Sequence, residues 1–162
     1  MAKAKKTPGA VVVSACLLGR PCRFDGRDKF TPGLAFLLEG RHVIAVCPEE
    51  LGGLGTPRPA CGISGGDGAD VLDGKARVID VDGNDRTDAF ISGARAGLEL
   101  ALAGGAREAV LKERSPSCGV TSVYRGDVTG PGQGVFTALL ARNGVSAVNE
   151  SRAIRRKARR SD

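Results

Sequence analysis

The chain has 162 residues, 41% of them hydrophobic, which bounds it to one domain able to build a core without disulfide staples. It has no Trp and only 4% aromatic residues, so it is poorly equipped to stack on single-stranded nucleic acid. The formal net charge of +6 is carried by the two ends. Residues 1–9 hold Lys3, Lys5 and Lys6, and residues 150–162 hold Arg152, Arg155, Arg156, Lys157, Arg159 and Arg160. Residues 10–149, between them, are nearly balanced and read as the single folded domain. The two ends read as basic tails, solvated and able to touch RNA or another polyanion. No apolar run reaches transmembrane length, and Ala10 to Val13 is too short for a signal peptide. The expectation is a cytoplasmic protein whose five cysteines are thiols.

In chain order, Ala10 to Ala15 is a short β-branched run that predicts a buried strand. A Gly- and Pro-containing loop spans Gly19 to Gly33. Leu34 to Leu38 predicts a short helix ended by Gly40, and His42 to Val46 a second strand stopped by Pro48. Gly52 to Gly68 is too rich in Gly and Pro for regular structure, and a loop of that length is usually functional. Val71-Leu72 and Ala76 to Val81 predict a hairpin about Asp73-Gly74. Thr87 to Ala103 has helical spacing in Phe90, Ala94, Leu98 and Ala101, with Asp85 or Thr87 as cap. A strand at Ala109 to Lys112, a hairpin about Arg125-Gly126, a helix at Val135 to Arg142 and a strand at Val145 to Val148 follow. This alternation predicts a Rossmann-like α/β fold: three layers, a mainly parallel sheet and one or two small hairpins.

Three cysteines share one position in that topology. Cys16 follows the first strand, Cys47 the second, and Cys118 lies just past the third. In an open parallel sheet the carboxyl ends of the strands form one edge, where ligands bind. Three thiols there suit zinc or an iron–sulfur cluster, both of which take soft ligands. No Cys-x-x-Cys occurs, which disfavours a zinc ribbon. A cluster with three thiolates keeps one iron open, and Cys22 and Cys61 are candidate fourth ligands.

At these residues the sequence resembles the thiouracil desulfidase family. The motifs are SACLLG-x-x-C-R-x-D-G, CPE-x-LGGL-x-TPRP, GGDG and KERSPSCG, in that order over about residues 10–150. The resemblance implies a [4Fe–4S] cluster on Cys16, Cys47 and Cys118, with zinc as the less favoured substitute. The reaction it implies converts the thiocarbonyl of a thiolated pyrimidine (2- or 4-thiouracil, as base or nucleotide) to a carbonyl with loss of sulfide. Glu49 matches the family's acid/base and Ser115 its partner. Glu50 and Glu113 are weaker candidate acids. Arg58 and the turn containing Gly66 and Asp67 are candidates to hold a substrate edge or an anion through backbone N–H groups. Where many relatives have a Pro-Ala-Glu-type stretch after TPRP, this chain has Ala60-Cys61-Gly62. The extra domain of larger, tRNA-directed relatives is not expected here, which favours a small substrate. The competing reading is a zinc- or cluster-holding module that binds RNA through its basic ends.

Overall fold

A computed structural model describes residues 9–160; the lysines at 3, 5 and 6 lie outside the described residues. Four parallel strands form the central sheet: β1 (Val11–Ser14), β2 (Val43–Val46), β5 (Glu108–Leu111) and β8 (Ser146–Asn149), in the order β2-β1-β5-β8. Two two-stranded antiparallel pieces accompany it, β3 (Cys61–Ser64) with β4 (Arg77–Asp80) and β6 (Ser122–Arg125) with β7 (Val128–Pro131).

Alternation along the central strands builds a core on each face of the sheet. Val12, Ala109 and Leu111 face one side, with Phe90, Ala94 and Ala101 of α4 (Thr87–Ala103) and Phe136 and Leu140 of α5 (Val135–Arg142). Val11, Val13 and Val110 face the other, with Leu37 and Leu38 of α1 (Ala35–Leu38) and Ala153 and Ile154 of α6 (Glu150–Arg160). Strands buried on both faces read as continuous apolar runs, which is why VVV and AVL were legible as strands. The expected Rossmann-like layering is thereby present, together with its small hairpins.

Three local expectations need correction. The predicted hairpin about Asp73-Gly74 does not form; Gly68–Leu72 is instead a short helix, α3. Asp67 accepts from the Ala69 and Asp70 N–H groups, and Asp70 returns a bond to the Asp67 N–H, so a capping box starts a helix there. Strand β4 takes its partner from Cys61–Ser64, inside the stretch expected to be irregular. The basic segment after residue 149 is not a solvated tail over the described residues. It is helix α6, whose Ala153 is buried and whose Ile154 packs by Gly33. Lys157 bonds the Phe36 carbonyl, while Arg152, Arg155, Arg156, Arg159 and Arg160 stay exposed. Two apolar residues among arginines were too weak a period to reveal the docked face. No helix among the described residues is long and apolar enough to cross a membrane.

The strand order changes direction between β1 and β5, since β2 lies on one side of β1 and β5 on the other. In open α/β sheets the crevice at such a point is the ligand site. The Ser14 hydroxyl at the end of β1 accepts from the Lys112 N–H at 2.9 Å just past β5, joining the two strand ends beneath the crevice.

Candidate active site and metal centre

A cleft of about 520 Å³ opens at this carboxyl edge, and all five cysteines line it. Each arrives by a different local device. Cys16 lies in a 3-10 turn (Ala15–Leu18) that starts as soon as β1 ends and closes on Gly19, whose φ of 96° is one that L residues rarely adopt. Cys47 is the N-cap of the short helix α2 (Pro48–Leu51), with Pro48 preset for the first helical position. Helix α2 is pressed onto α4 at two glycines. A Cβ on Gly93 would run into the Pro48 carbonyl oxygen, and one on Gly52 into the Ala89 carbonyl oxygen. That close approach sets where Cys47 and Glu49 stand.

Cys118 belongs to the loop after β5, which is tied to the first turn of α5. The Pro116 and Ser117 carbonyls accept from Val135 and Phe136 N–H at 3.0 and 2.9 Å. Gly134 must be glycine for this contact, because a Cβ there would strike the Ser117 carbonyl.

The thiols form one group. Cys16, Cys22, Cys47 and Cys118 all line the cleft. The Sγ atoms of Cys22 and Cys47 and a Glu50 carboxylate oxygen are all within 4.8 Å of one another. Contact with the Cys16 thiol, and then burial, pushes Cys22 up to about 11. The Cys22 contact and burial push Cys47 upward, and burial takes Cys118 to about 12. Such thiols hold their protons until a cation takes the protons' place, so this is a donor set that fits a thiophilic metal centre. Cys61 stands apart: its S–H reaches the Pro59 carbonyl at 3.6 Å, and burial pushes it up to about 12.

Glu49 faces the same cleft and is held at both oxygens. Arg58 Nε donates to Oε1 at 3.1 Å, with the two side chains 6% and 14% exposed. The Ser117 hydroxyl donates to Oε2 at 3.0 Å. Ser115 is one step further back, its Oγ 3.0 Å from that of Ser117 and accepting from the Cys118 N–H at 3.1 Å. The carboxylate's direct hydroxyl partner is therefore Ser117, which sequence reasoning missed. The second serine of SPS was its only trace in the sequence.

Arg58, expected to hold substrate, lines the cleft and also makes several bonds within the protein. Besides Glu49 it reaches the Gly55 and Cys22 carbonyls and the Thr56 hydroxyl at 3.1, 2.9 and 3.0 Å. Gly66 and Asp67 do not line the cleft. Asp67 caps α3 and also accepts from the Gln133 N–H at 3.1 Å, so the GGDG turn serves the α3–α5 contact rather than the crevice. Glu113 lines the cleft wall, yet its carboxylate is filled by N–H and hydroxyl donors from 120–122 and by Asn149. The rim carries two half-exposed aromatic rings, Phe24 and Tyr124.

Comparison with known proteins agrees with this geometry. The sequence profile of the 2-thiouracil desulfurase family matches residues 11–152. A solved structure described as the [4Fe–4S]-dependent thiouracil desulfidase TudS is 41% identical, with a TM-score of 0.77 over 90% of this chain and 93% of that one. A Bacillus subtilis (strain 168) protein, the uncharacterised YbbK, is 38% identical over 144 residues, 87% of this chain and 95% of its own. With thiols from three strand ends gathered beside a buttressed glutamate, and with a family match over nearly the whole fold, the chain belongs to the 2-thiouracil desulfurase family.

Proposed function

We propose that the protein is a desulfidase that converts the C=S group of a thiolated pyrimidine to C=O, using a [4Fe–4S] cluster held by Cys16, Cys47 and Cys118. The observation that carries this reading is the convergence of those three cysteines, from the ends of β1, β2 and β5, on the cleft that Glu49 also faces. When bound, a cluster with three protein thiolates supplies a Lewis-acidic iron for the substrate's sulfur. Everything else is work for the chain's own side chains.

The overall change adds water and releases hydrogen sulfide, with no net oxidation or reduction. Both protons must leave the attacking water, whose oxygen becomes the carbonyl oxygen, and both must reach the departing sulfur. Glu49, two residues from Cys47, is placed to do both, as a general base and then a general acid. Arg58 and Ser117 keep its two oxygens oriented. Ser115 supports Ser117 and the Cys118 N–H, which makes it a positioning residue. Phe24 and Tyr124 offer apolar faces to a flat heterocycle at the rim.

The test is protein purified without oxygen, assayed for iron, acid-labile sulfide and sulfide release from 2- and 4-thiouracil. A brown protein near four irons per chain that releases sulfide, and a Glu49→Gln variant that keeps its irons but not its turnover, is the expected result. A protein that takes up only zinc, or a loaded cluster that releases no sulfide, overturns the reading.

A further inference from the structure

The outer face of α6 has no part in the reaction as described, yet it is built almost entirely of one residue type. Arg152, Arg155, Arg156, Arg159 and Arg160 are all exposed. Their spacing of three and four residues gathers them within about 140° of the helix circumference, over about 12 Å of its length. The opposite face is engaged by the protein: Ala153 is buried, Ile154 packs by Gly33, and Lys157 bonds the Phe36 carbonyl. Among the described residues no carboxylate forms an ion pair with any of the five arginines.

Helix stability does not explain this face. Arg152 and Arg156, Arg155 and Arg159, and Arg156 and Arg160 stand four residues apart, where like charges weaken a helix. The helix dipole favours cations in the last turn, which accounts for Arg159 and Arg160 but not for Arg152 near the start. Arg155 to Arg160 also lie beyond the family match, which ends at residue 152. The helix is anchored at the cleft wall. Its Arg152 N–H donates to Asn149 Oδ1 at 2.8 Å, and Glu150 accepts from the Glu113 N–H at 3.0 Å and pairs with Lys112 at 3.5 Å. Lys112 and Glu113 line the cleft, as do the cations Arg23, Lys29 and Arg114. The stripe thus starts behind the cleft wall and runs away from it.

We propose that the arginine face of α6 docks the phosphate backbone of an RNA and holds it beside the cleft. Guanidinium groups one helical turn apart suit a run of phosphates, each taken through a planar fork of N–H donors. RNA is the polyanion that carries uracil, so the choice of RNA among polyanions rests on the desulfidase reading. A membrane surface is a poorer fit, because the apolar face that such a helix would insert is already docked. A protein interface needs an apolar centre, and the arginine face presents no large apolar side chain.

The experiment compares the full chain with a variant carrying Arg155→Gln, Arg156→Gln, Arg159→Gln and Arg160→Gln. A control carries Arg95→Gln and Arg107→Gln, exposed arginines elsewhere on the fold. Binding of a fluorescent, uridine-containing RNA hairpin is read by anisotropy over a salt series, and sulfide release from free 2-thiouracil is read separately. Wild type should bind with a slope of log K against log salt between about −2 and −4. The α6 variant should lose at least about tenfold in affinity and most of that slope, while the control stays within about twofold of wild type. Release of sulfide from free 2-thiouracil should be the same in all three. Wild type that does not bind the RNA, or an equal loss in the control and the α6 variant, overturns the proposal. So does arginine-dependent binding to phosphatidylserine vesicles or to polyglutamate with none to RNA. A protein that holds RNA but releases no sulfide overturns the desulfidase reading and leaves the docking face standing. Should the α6 variant not fold, nuclear magnetic resonance signals of residues 152–160 in wild type decide, shifting on addition of RNA or staying in place.

Discussion

Two of the loops that bring cysteine to the cleft are built in different ways. After β5, the loop carrying Cys118 is locked from within. Glu113 accepts from the N–H groups of Val120, Thr121 and Ser122 at 2.8, 3.0 and 3.1 Å, and from Asn149 Nδ2 at 2.6 Å. These bonds, acting against burial, hold its carboxyl down to about 2. After β1, the stretch from Gly19 to Gly33 runs over the surface with Phe30 exposed, and it is held mainly by backbone bonds such as Lys29 N–H to the Cys16 carbonyl at 2.9 Å and Thr31 N–H to the Leu17 carbonyl at 3.0 Å. A ligand that must never leave belongs on the first kind of loop.

The contrast can be broken at its strongest point by Cys118→Ser. Iron content should fall to background and turnover with it, as measured by iron analysis and sulfide release. Glu49→Gln should come next, lowering kcat by about 10²–10⁴-fold with the cluster spectrum unchanged. Glu113→Gln replaces an acceptor of several N–H donors with a group that is half donor, and should cost about 2 kcal/mol in chemical denaturation.

The same carboxylate predicts an acid limb. Its folded value, near 2, lies below the ordinary 4.5. Its stabilisation is therefore present above the ordinary value and fades as pH falls from there toward the folded value; Glu113→Gln should flatten that limb of a stability–pH profile. Ser117→Ala should lower kcat about tenfold through loss of one bond to Glu49, leaving iron content intact. Asp25→Ala, in the open loop, removes only a local bond to the Arg27 N–H and should move stability by less than about 0.5 kcal/mol. A large effect there would erase the distinction between the loops.

Legibility in the sequence followed burial and local chemistry. VVV and AVL announced central strands, and the cysteines directly after them announced a shared edge. Asp67 and Asp70 spelled a capping box, but it lay among glycines that suggested a turn. The C-terminal helix was hidden because its docked face consists of little more than Ala153 and Ile154.

From the amino-acid order alone came the fold class, the three cysteines at three strand ends, and the motif holding Glu49. These depend on short-range pattern and on the shared direction of parallel strands, so they can be read residue by residue. The tertiary structure alone decided that Ser117 rather than Ser115 meets Glu49, that Arg58 pairs with Glu49, that GGDG lies off the cleft, and that Cys22 stands beside Cys47. Each of these turns on where a side chain points after distant segments dock. Such docking, as at Gly93 against Pro48 and Gly134 against Ser117, is decided by close packing between elements far apart in the chain.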